Sequence, residues 1–451
     1  MLVKVSIENF KSFDQATEVT MISSNKIRTH ANHRVKIKST QLLKYGVIYG
    51  ANAAGKTNLV EFFKFFKECI GKGIPMEAVG MFCKNREDNK ERESSFEIQV
   101  TIGDKFYAYG FSAILSKRKI TSEWLYELYQ NGSARCLFER NGNKRPVLDS
   151  AITLTNTEKN KFEIYADDFE GNETALFLAE MNRGKKYAVH SKLLFFRDVY
   201  DWIKNHIVVI TPNTPLIDLE YYYDVNSLKQ INRLIETFDT GISKVKIQEI
   251  SLDELSNAMP KPVFDRVMRH VKNRIEAQEN TTFRMTMRSN ESFFNIEVRG
   301  HEEPKVTTIR LNHVKSFYDF GLEEESDGTR RLFDLMDMLL NKREDMLYVV
   351  DELERSLHPK LTERFLQLFM QLHSEERMQL LFTTHESSIM DQSIFRRDEI
   401  WFIERNIQNA SEMYSLDRFK ERYDKVLSKA YLDGRYGAIP VFSTFEFRGE
   451  E

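Results

Sequence analysis

Apolar and polar residues alternate at the start of the chain, with the period of a half-buried β-strand. This alternation covers Val3 to Ile7, and a shorter version follows from Val19 to Met21. An apolar run then occupies Tyr45 to Tyr49, and the segment from Asn58 to Ile70 carries apolar residues at helical spacing. The pattern predicts two strands, followed by a buried strand that a short loop connects to a helix.

A second alternating pattern predicts an antiparallel β lobe. Apolar residues recur at every second position from Phe96 to Ile102, a Gly-Asp turn signal follows, and Phe106 to Phe111 continue on the other side. We expect this lobe to extend to about Glu139. The run from Lys84 to Glu93, which mixes both charge signs and precedes the lobe, predicts a solvated loop.

Helical periodicity replaces the alternating pattern from Thr174 onward and predicts an inserted lobe. The expected elements are helices up to His206, a strand from Ile207 to Ile210, two helices with apolar faces at Leu228 to Phe238 and Val263 to Ile275, and a hairpin at Phe283 to Val298. The predicted domain division is 1–175, 176–302 and 303–451.

The charge balance changes this picture little. The 451 residues are 41% hydrophobic and 29% charged, with a formal net charge of -3, so no global field attracts nucleic acid. Basic residues do concentrate in the stretch 261–288, at Lys261, Arg266, Arg269, Lys272, Arg274, Arg284 and Arg288. A solvated helix face and a contact with nucleic acid or an acidic partner both explain this stretch.

The cysteines and the hydropathy pattern predict a cytoplasmic protein. Cys69, Cys83 and Cys136 are odd in number and lack C-x-x-C spacing, so they suggest neither a disulfide framework nor a zinc site. No run of 18 apolar residues occurs, and the N-terminus lacks the apolar core of a signal peptide. We therefore expect no membrane segment.

The sequence GANAAGKT lies between the predicted buried strand and the helix, which is the setting of a Walker A phosphate loop. In such a loop backbone N–H groups bind phosphate oxygens, Lys56 places charge on the β and γ phosphates, and Thr57 places its hydroxyl on Mg2+. The predicted nucleotide-binding residues are Gly50, Ala51, Asn52, Ala53, Ala54, Gly55, Lys56 and Thr57. The expected ligands are ATP and Mg2+.

Two further apolar runs end in polar residues. The run that begins at Met346 ends in Asp351 and Glu352, as in a Walker B strand. Asp351 is expected to hold Mg2+ through water, and Glu352 to orient the water that attacks the γ phosphate. The run that begins at Leu380 leads to His385, a candidate contact to the γ phosphate at the carboxyl edge of the sheet.

Ser326 and Gly328 precede a helical pattern whose apolar face runs from Leu332 to Leu339. A serine and a glycine at a helix N-terminus can cap the helix and can also bind a phosphate.

The phrases GANAAGKT, ESDGTRRL, YVVDELERSLHP and FTTH occur in this order, and together they resemble the ABC-type ATPase head shared by SMC proteins, RecF and OLD-like ATPases. The resemblance implies an α/β P-loop head with a mixed sheet, an antiparallel β lobe and an inserted helical lobe. The phrase VSIENFKSF is also similar, which implies that Lys11 and Ser12 lie near the nucleotide. The resemblance further implies that Ser326 and Gly328 complete the site of an opposite protomer, and that Ser356 lies in the D-loop at the dimer seam.

Within that group, the phrases NFKSF, ESDGTRRLF, DELERSLHP and GRYGAIP resemble AAA-type ATPases of bacterial antiphage abortive-infection systems such as RloA and AbiL, and more distantly the PARIS and Septu ATPases. The resemblance implies a sensing and gating subunit that controls a separately encoded effector, a Toprim-type nuclease. We expect no nuclease domain after His385, because the segment that follows it is too short. Thr329 replaces the Gln or Glu of many transporters, and the Q-loop candidate is Phe177 to Asn182, with Glu180 in the glutamine position.

Two other functions stay open from the sequence. A RecF-like or SMC-like DNA-maintenance ATPase would clamp duplex DNA, and the basic stretch 261–288 is its support. A nucleotide-gated scaffold would hydrolyse ATP slowly and lock an oligomer. Our preferred prediction is an ATP-hydrolysing subunit of an antiphage complex, which acts as a dimer or larger oligomer.

Overall fold

A computed structural model describes the chain over residues 1–212, 225–277, 282–289, 292–300, 302–419 and 426–440. The strands are β1 Leu2–Glu8, β2 Thr17–Thr20, β3 Arg34–Ile37, β4 Thr40–Leu43, β5 Tyr45–Gly50, β6 Ser94–Ile102, β7 Lys105–Ile114, β8 Lys119–Leu128, β9 Ala134–Asn141, β10 Val147–Leu148, β11 Ile207–Ile210, β12 Ile242–Ile250, β13 Thr282–Ser289, β14 Ser292–Arg299, β15 Lys305–His313, β16 Asp319–Phe320, β17 Leu347–Val350, β18 Gln379–Thr384, β19 Ile400–Arg405 and β20 Ser411–Ser415. The α-helices are α1 Lys56–Lys72, α2 Asn156–Phe169, α3 Phe177–Glu180, α4 Leu194–Asp201, α5 Val225–Ile235, α6 Leu252–Asn257, α7 Lys261–Ala277, α8 Asp327–Leu340, α9 Pro359–Leu372 and α10 Leu427–Leu432.

The described chain divides into two compact units. Unit 1 comprises Met1–Thr211, Arg343–Leu353 and the chain from His373 onward, and unit 2 comprises Pro212–Lys342 and Glu354–Leu372. The division into 1–175, 176–302 and 303–451 stays a prediction about domains.

A mostly parallel sheet forms the centre of unit 1, in the order β11-β17-β18-β5-β19-β20. Neighbouring strands are parallel from β11 to β19, and β20 pairs with β19 in the antiparallel sense, so the sheet is mixed. Every residue of β5, β17 and β18 is buried, as expected for strands covered on both faces. Because β18 separates β5 from β17, the ends of these three strands lie side by side at one sheet edge.

The second sheet of unit 1 is the predicted antiparallel lobe, in the order β10-β9-β8-β7-β6-β1-β2. The predicted hairpin is formed by β6 and β7, and Gly103 adopts φ 60° at its turn. Aromatic residues of this lobe pack on α1: the ring of Phe10 lies 5.2 Å from Phe65, and the ring of Phe66 lies 5.5 Å from Phe111. This packing fixes the N-terminal segment beside the phosphate-loop helix.

The segment between the two sheets departs in part from the predicted elements. Helix α2 was not predicted because its sequence is mostly polar; of its residues only Phe162, Ala166 and Phe169 are buried. The helix predicted up to His206 is α4 followed by a π-helical turn, Trp202–His206, and β11 begins at Ile207 as predicted.

Unit 2 contains both helices and a sheet. Its strands follow the order β12-β15-β14-β13, and β16 pairs with β15. The predicted hairpin is β13 and β14, and α6 and α7 contribute Leu255 and Val271 to the core on this sheet. Unit 2 therefore contains strands beyond the predicted helices and hairpin; β12 and β15 were not predicted because they carry polar residues that conceal their strand pattern.

The predicted α/β class with a mixed sheet, an antiparallel β lobe and an inserted lobe is confirmed. Within the described ranges, the structure has no helix that is both long and apolar enough to span a membrane.

Candidate nucleotide-binding and hydrolysis site

The phosphate loop connects β5 to α1 through a backbone that only some residues adopt easily. Ala53 has φ 61°, and Gly55, which caps α1, has φ 117°. A Cβ atom on Gly55 would lie 2.3 Å from the Ser411 hydroxyl oxygen, and one on Gly50 would lie 2.4 Å from the Ile403 carbonyl oxygen. These close approaches explain both glycines and hold a helix N-terminus, a favourable phosphate site, at the sheet edge.

Lys56 is buried at the first position of α1, and its ammonium is held over the loop. Its Nζ donates hydrogen bonds to the carbonyl oxygens of Gly50 at 2.7 Å and Ala51 at 3.0 Å. The same Nζ lies 3.4 Å from Nδ1 of His385. The ammonium is therefore shared between the phosphate loop and the end of β18.

The two acidic residues after β17 are joined by the hydroxyl group of Thr383, at the end of the neighbouring strand β18. The Thr383 hydroxyl donates to Oδ1 of Asp351 at 2.6 Å and accepts the backbone N–H of Glu352 at 2.8 Å. Glu352 has φ 48°, an uncommon conformation for a residue with a side chain, and such conformations concentrate at functional sites. Thr383 belongs to the phrase FTTH, but the sequence does not reveal its bridging role, because that role requires β18 to lie beside β17.

His385 lies between the lysine and the acidic pair. Its Nε2 is 4.0 Å from Oε1 of Glu352, and its Nδ1 faces Lys56. Burial lowers the pKa of His385, and the positive charge of Lys56 lowers it further, while the carboxylates of Glu352 and Asp351 act in the opposite sense. The imidazole is therefore neutral near pH 7.

Ser12 packs against the phosphate loop from the N-terminal segment. Its hydroxyl oxygen accepts from Nδ2 of Asn58 at 2.7 Å and lies 2.7 Å from the Ser411 hydroxyl, which also reaches the Ala54 carbonyl. Ser411 is a residue that the sequence did not single out, because it belongs to β20 and approaches the loop only in the folded sheet.

Lys11 adjoins a cavity beside the first turns of α1. Its backbone has φ 49°, and its ammonium pairs with Glu61. Burial lowers the pKa of Lys11, and the neighbouring Lys64 lowers it further. The cavity has a volume of about 480 Å³ and is also lined by Ser12, Asn58 and Arg405. Its position suits the nucleotide beyond the phosphates.

Asn9 anchors this N-terminal segment to the mixed-charge run that follows α1. Its side-chain amide donates to the carbonyl oxygens of Asn89 at 2.9 Å and Arg92 at 3.0 Å, and its Oδ1 accepts the N–H of Cys83 at 3.1 Å. Asp14 also accepts from Asn89 at 2.8 Å. The run from Lys84 to Glu93, predicted as a solvated loop, therefore includes a buried anchor at Asn89.

The three residues predicted to act on an opposite protomer all belong to unit 2, where they lie together. Ser326 is the N-cap of α8, and its hydroxyl accepts the N–H of Thr329 at 3.2 Å. A Cβ atom on Gly328 would lie 2.6 Å from the Ser356 carbonyl oxygen, and Ser356 has φ 62°. Gly328 is thus required where α8 meets the segment before α9.

Thr329 and Glu180 have local partners. The Thr329 hydroxyl lies 3.0 Å from that of Ser326, so this threonine supports the cap of α8. The Glu180 carboxylate pairs with Lys185 in unit 1. The assignment of Glu180 to a Q-loop stays a prediction.

The site residues provide ligands that suit Mg2+. Thr57 is exposed at the start of α1, and Asp351 carries a buried carboxylate at the end of β17. Hydroxyl and carboxylate oxygens are the ligands that Mg2+ prefers, usually together with water and substrate phosphates. Within the described residues no group of three or more His, Cys, Asp or Glu side chains could hold a metal ion. The donor set therefore fits a Mg2+ ion that a nucleotide shares, rather than a separate protein-only metal centre.

Comparison with solved structures finds SMC head domains. The chain has 13% identity and a TM-score of 0.41 to the SMC head domain from Thermotoga maritima, over 92% of this chain and 98% of that one. The SmcHead bound to the C-winged helix domain of ScpA gives 14% identity and a TM-score of 0.38, over 92% and 97% of the two chains. The Smc head domain with an extended coiled coil bound to the C-terminal domain of ScpA, derived from Pyrococcus furiosus, gives 11% identity and a TM-score of 0.40, over 96% and 98%.

No curated protein matches the chain. A family model described as "AAA domain, putative AbiEii toxin, Type IV TA system" matches residues 47–391, which is more than half of the chain. The matched range contains the phosphate loop, the acidic pair after β17 and the end of β18. The chain therefore belongs to this family of AAA-domain proteins.

Proposed function

We propose that this chain hydrolyses ATP to ADP and phosphate, and that this reaction gates a separately encoded effector in a bacterial antiphage defence complex. The observation that carries the enzymatic part is the bridge by which one hydroxyl, that of Thr383, fixes both Asp351 and Glu352. This bridge lies at the sheet edge that also holds Lys56 and His385. A site for phosphoryl transfer needs this combination of a cation, a metal-binding carboxylate and a base.

Each residue has a distinct task in the proposed reaction. Lys56 and the N-terminus of α1 bind the phosphates, and Thr57 with Asp351 would hold Mg2+, which supplies charge neutralisation to the β and γ phosphates. Glu352 accepts a proton from the attacking water, so a hydroxide equivalent reaches phosphorus as the bond to ADP breaks. Neutral His385 offers a hydrogen bond to the γ phosphate or to that water.

The proposal includes a dimer in which Ser326 and Gly328 of one protomer complete the nucleotide site of the other. Ser326 is exposed at the N-terminus of α8, a helix of 14 residues, where backbone N–H groups and the helix dipole favour a phosphate. Gly328 and Ser356 belong to the same surface. The resemblance to ABC-type heads supports this arrangement.

Phosphate release and sedimentation test the enzymatic proposal. Glu352→Gln keeps the size of the side chain and removes the base, so we expect bound ATP, a loss of turnover and an accumulated dimer. Glu363→Gln, at a partly exposed residue of α9 that pairs with Lys360, is the control for the same substitution and should keep wild-type turnover. Unchanged turnover in Glu352→Gln would remove this residue from the reaction.

The biological part of the proposal is supported by the family and by the motifs. The family description names a putative AbiEii toxin of a type IV toxin–antitoxin system. The phrases NFKSF, ESDGTRRLF and DELERSLHP resemble antiphage ATPases. A Toprim-type nuclease is the proposed effector.

A phage challenge separates the possible roles. Cells that carry this gene with its neighbour should resist some phages, and Lys56→Ala should abolish the resistance. Cells that carry this gene alone should show neither resistance nor toxicity. Full resistance from this gene alone would contradict the two-component proposal, and toxicity from this gene alone would favour a toxin.

DNA maintenance is the second candidate, because α7 presents exposed basic residues. Lys261, Arg266, Arg269 and Lys272 are all exposed on this helix. Binding to duplex DNA through them would weaken steeply with salt, and Arg266→Glu with Lys272→Glu would abolish it. Wild-type protein that does not bind duplex DNA at low salt would exclude this candidate.

A further inference from the structure

Two large apolar side chains of the described residues stand out by their exposure. Phe317 is 97% exposed and belongs to unit 2, whereas Ile407 is 95% exposed and belongs to unit 1. Single exposed apolar residues are common on protein surfaces, so exposure alone does not indicate a partner. The positions of Phe317 and Ile407 do indicate a partner. Phe317 belongs to the unit that carries Ser326, and Ile407 belongs to the unit that carries the phosphate loop, so each lies on a different half of the proposed composite site.

Phe317 lies in an ordered turn between β15 and β16, together with Tyr318, which is 83% exposed. The Ser316 hydroxyl donates to the Tyr318 carbonyl oxygen at 2.7 Å, and the N–H of Val314 donates to the Gly241 carbonyl oxygen at 2.9 Å. The aromatic turn, residues 314–318, is thus held by one hydrogen bond within it and one to Gly241. A preordered turn loses little entropy when a partner covers it.

The aromatic turn is connected directly to the cap of α8. Nε2 of His313, at the end of β15, lies 2.6 Å from Oε1 of Glu325, the residue before Ser326. The ring of His313 also packs on Phe320 of β16, with centroids 5.0 Å apart. A protomer that meets the Ser326 surface therefore comes close to the aromatic turn as well.

Ile407 lies at the tip of the hairpin formed by β19 and β20, next to the phosphate loop. Strand β19 pairs with β5 up to Gly50, and Nε of Arg405 donates to the Ala53 carbonyl oxygen at 3.0 Å. The Asn406 side chain holds the tip by accepting the N–H groups of Gln408 at 3.0 Å and Ala410 at 2.9 Å. Ile407 therefore projects from a second ordered tip, at the rim of the Walker A half of the site.

We infer that the aromatic turn of one protomer packs against the Ile407 hairpin of a second copy when ATP joins two heads. The inference rests on the proposed composite site, in which Ser326 of one copy meets the phosphate loop of the other, because the aromatic turn adjoins the first element and the Ile407 hairpin adjoins the second. Burying the apolar tips would tie nucleotide binding to dimer stability.

Disulfide trapping tests this contact in a Glu352→Gln, Cys136→Ser background, which removes turnover and the one cysteine that is not buried. Phe317→Cys protein is mixed with Ile407→Cys protein under mild oxidation, with and without ATP and Mg2+. We expect a cross-linked dimer only with nucleotide. Val189→Cys is the matched control for Ile407→Cys, because Val189 is an 82% exposed apolar residue of the same unit, and it should not cross-link to Phe317→Cys.

Sedimentation of the background protein separates the two claims. Phe317→Ser with Tyr318→Ser should weaken its ATP-dependent dimer about tenfold or more, as expected when interface anchor residues are truncated. A dimer that forms with ATP but gives no cross-link, or cross-links equally to Val189→Cys, would overturn this inference alone. A background protein that stays monomeric with ATP would overturn the proposed composite site and this inference together.

Discussion

Thr383 offers the sharpest test of the hydrolysis site, because one hydroxyl positions both acidic residues. Thr383→Val keeps the shape of this buried side chain and removes the hydroxyl. The lost bonds are one to the Asp351 carboxylate at 2.6 Å and one from the Glu352 N–H at 2.8 Å. A bond to a charged group contributes about 1.5–3 kcal/mol and a neutral one about 0.5–1.5 kcal/mol, so we expect the free energy of unfolding to fall by about 2–4.5 kcal/mol.

The catalytic effect of Thr383→Val should exceed a simple loss of stability. Glu352, the proposed catalytic base, has φ 48°, and its N–H donates to the Thr383 hydroxyl. The variant removes this bond, so the bond no longer holds Glu352 in its uncommon backbone conformation. We expect kcat at saturating ATP to fall about tenfold or more, which corresponds to about 1.4 kcal/mol of transition-state stabilisation. Steady-state phosphate release below the unfolding temperature measures it.

Two matched variants separate the hydroxyl from the substitution itself. Thr383→Ser keeps the hydroxyl and should retain most of the turnover. Thr362→Val makes the same change at a buried threonine of α9 whose hydroxyl has no hydrogen-bond partner, so its stability should stay constant or rise and its kcat should not change. A Thr383→Val enzyme with wild-type kcat would refute the assignment of this bridge to catalysis.

Three other changes test separate parts of the site. Lys56→Ala removes the cation that donates to Gly50 and Ala51, so phosphate release should vanish while circular dichroism stays native. Gly328→Ala places a Cβ 2.6 Å from the Ser356 carbonyl oxygen, so it should lower turnover and cost about 1–3 kcal/mol of stability. Gly71→Ala is the control: a Cβ there lies in open space on α1, so this variant should not destabilise the protein. Burial and Lys56 lower the pKa of His385, so the unfolded chain binds this proton at a higher pH than the folded protein does, and acid lowers stability through this group. kcat should fall in acid as the folded imidazole becomes charged, and a pH–rate profile of His385→Asn should lack this contribution.

The sequence predicted the elements whose patterns are local. The phosphate loop, its helix and the apolar strands β5, β17 and β18 follow from runs of neighbouring residues. The hairpins β6–β7 and β13–β14 likewise follow from alternation around a turn. These predictions required no knowledge of which strands become neighbours.

The features that the sequence missed depend on distant contacts. Thr383 bridges two acidic residues only because β18 lies beside β17, and Ser411 reaches Ser12 only because β20 folds back toward the loop. Asn9 holds a charged run about 80 residues later through three hydrogen bonds, to the carbonyl oxygens of Asn89, Arg92 and Glu93, which the charge pattern alone does not reveal. Helix α2 is an exception, because its capping box at Thr155 and Glu158 is a local signal, but its mostly polar sequence lacks the apolar stripe that predicts a helix.

A mixed-dimer experiment tests most directly the central claim that two protomers share each ATP site. Ser326→Arg and Lys56→Ala should each be inactive alone, because one blocks the contact to the opposite site and the other removes the phosphate-binding cation. An equal mixture should recover about a quarter of the wild-type rate, because half of the randomly formed dimers are mixed and each has one intact site. An inactive mixture in which heterodimers are shown to form, or a Ser326→Arg protein that is fully active alone, would contradict the shared site.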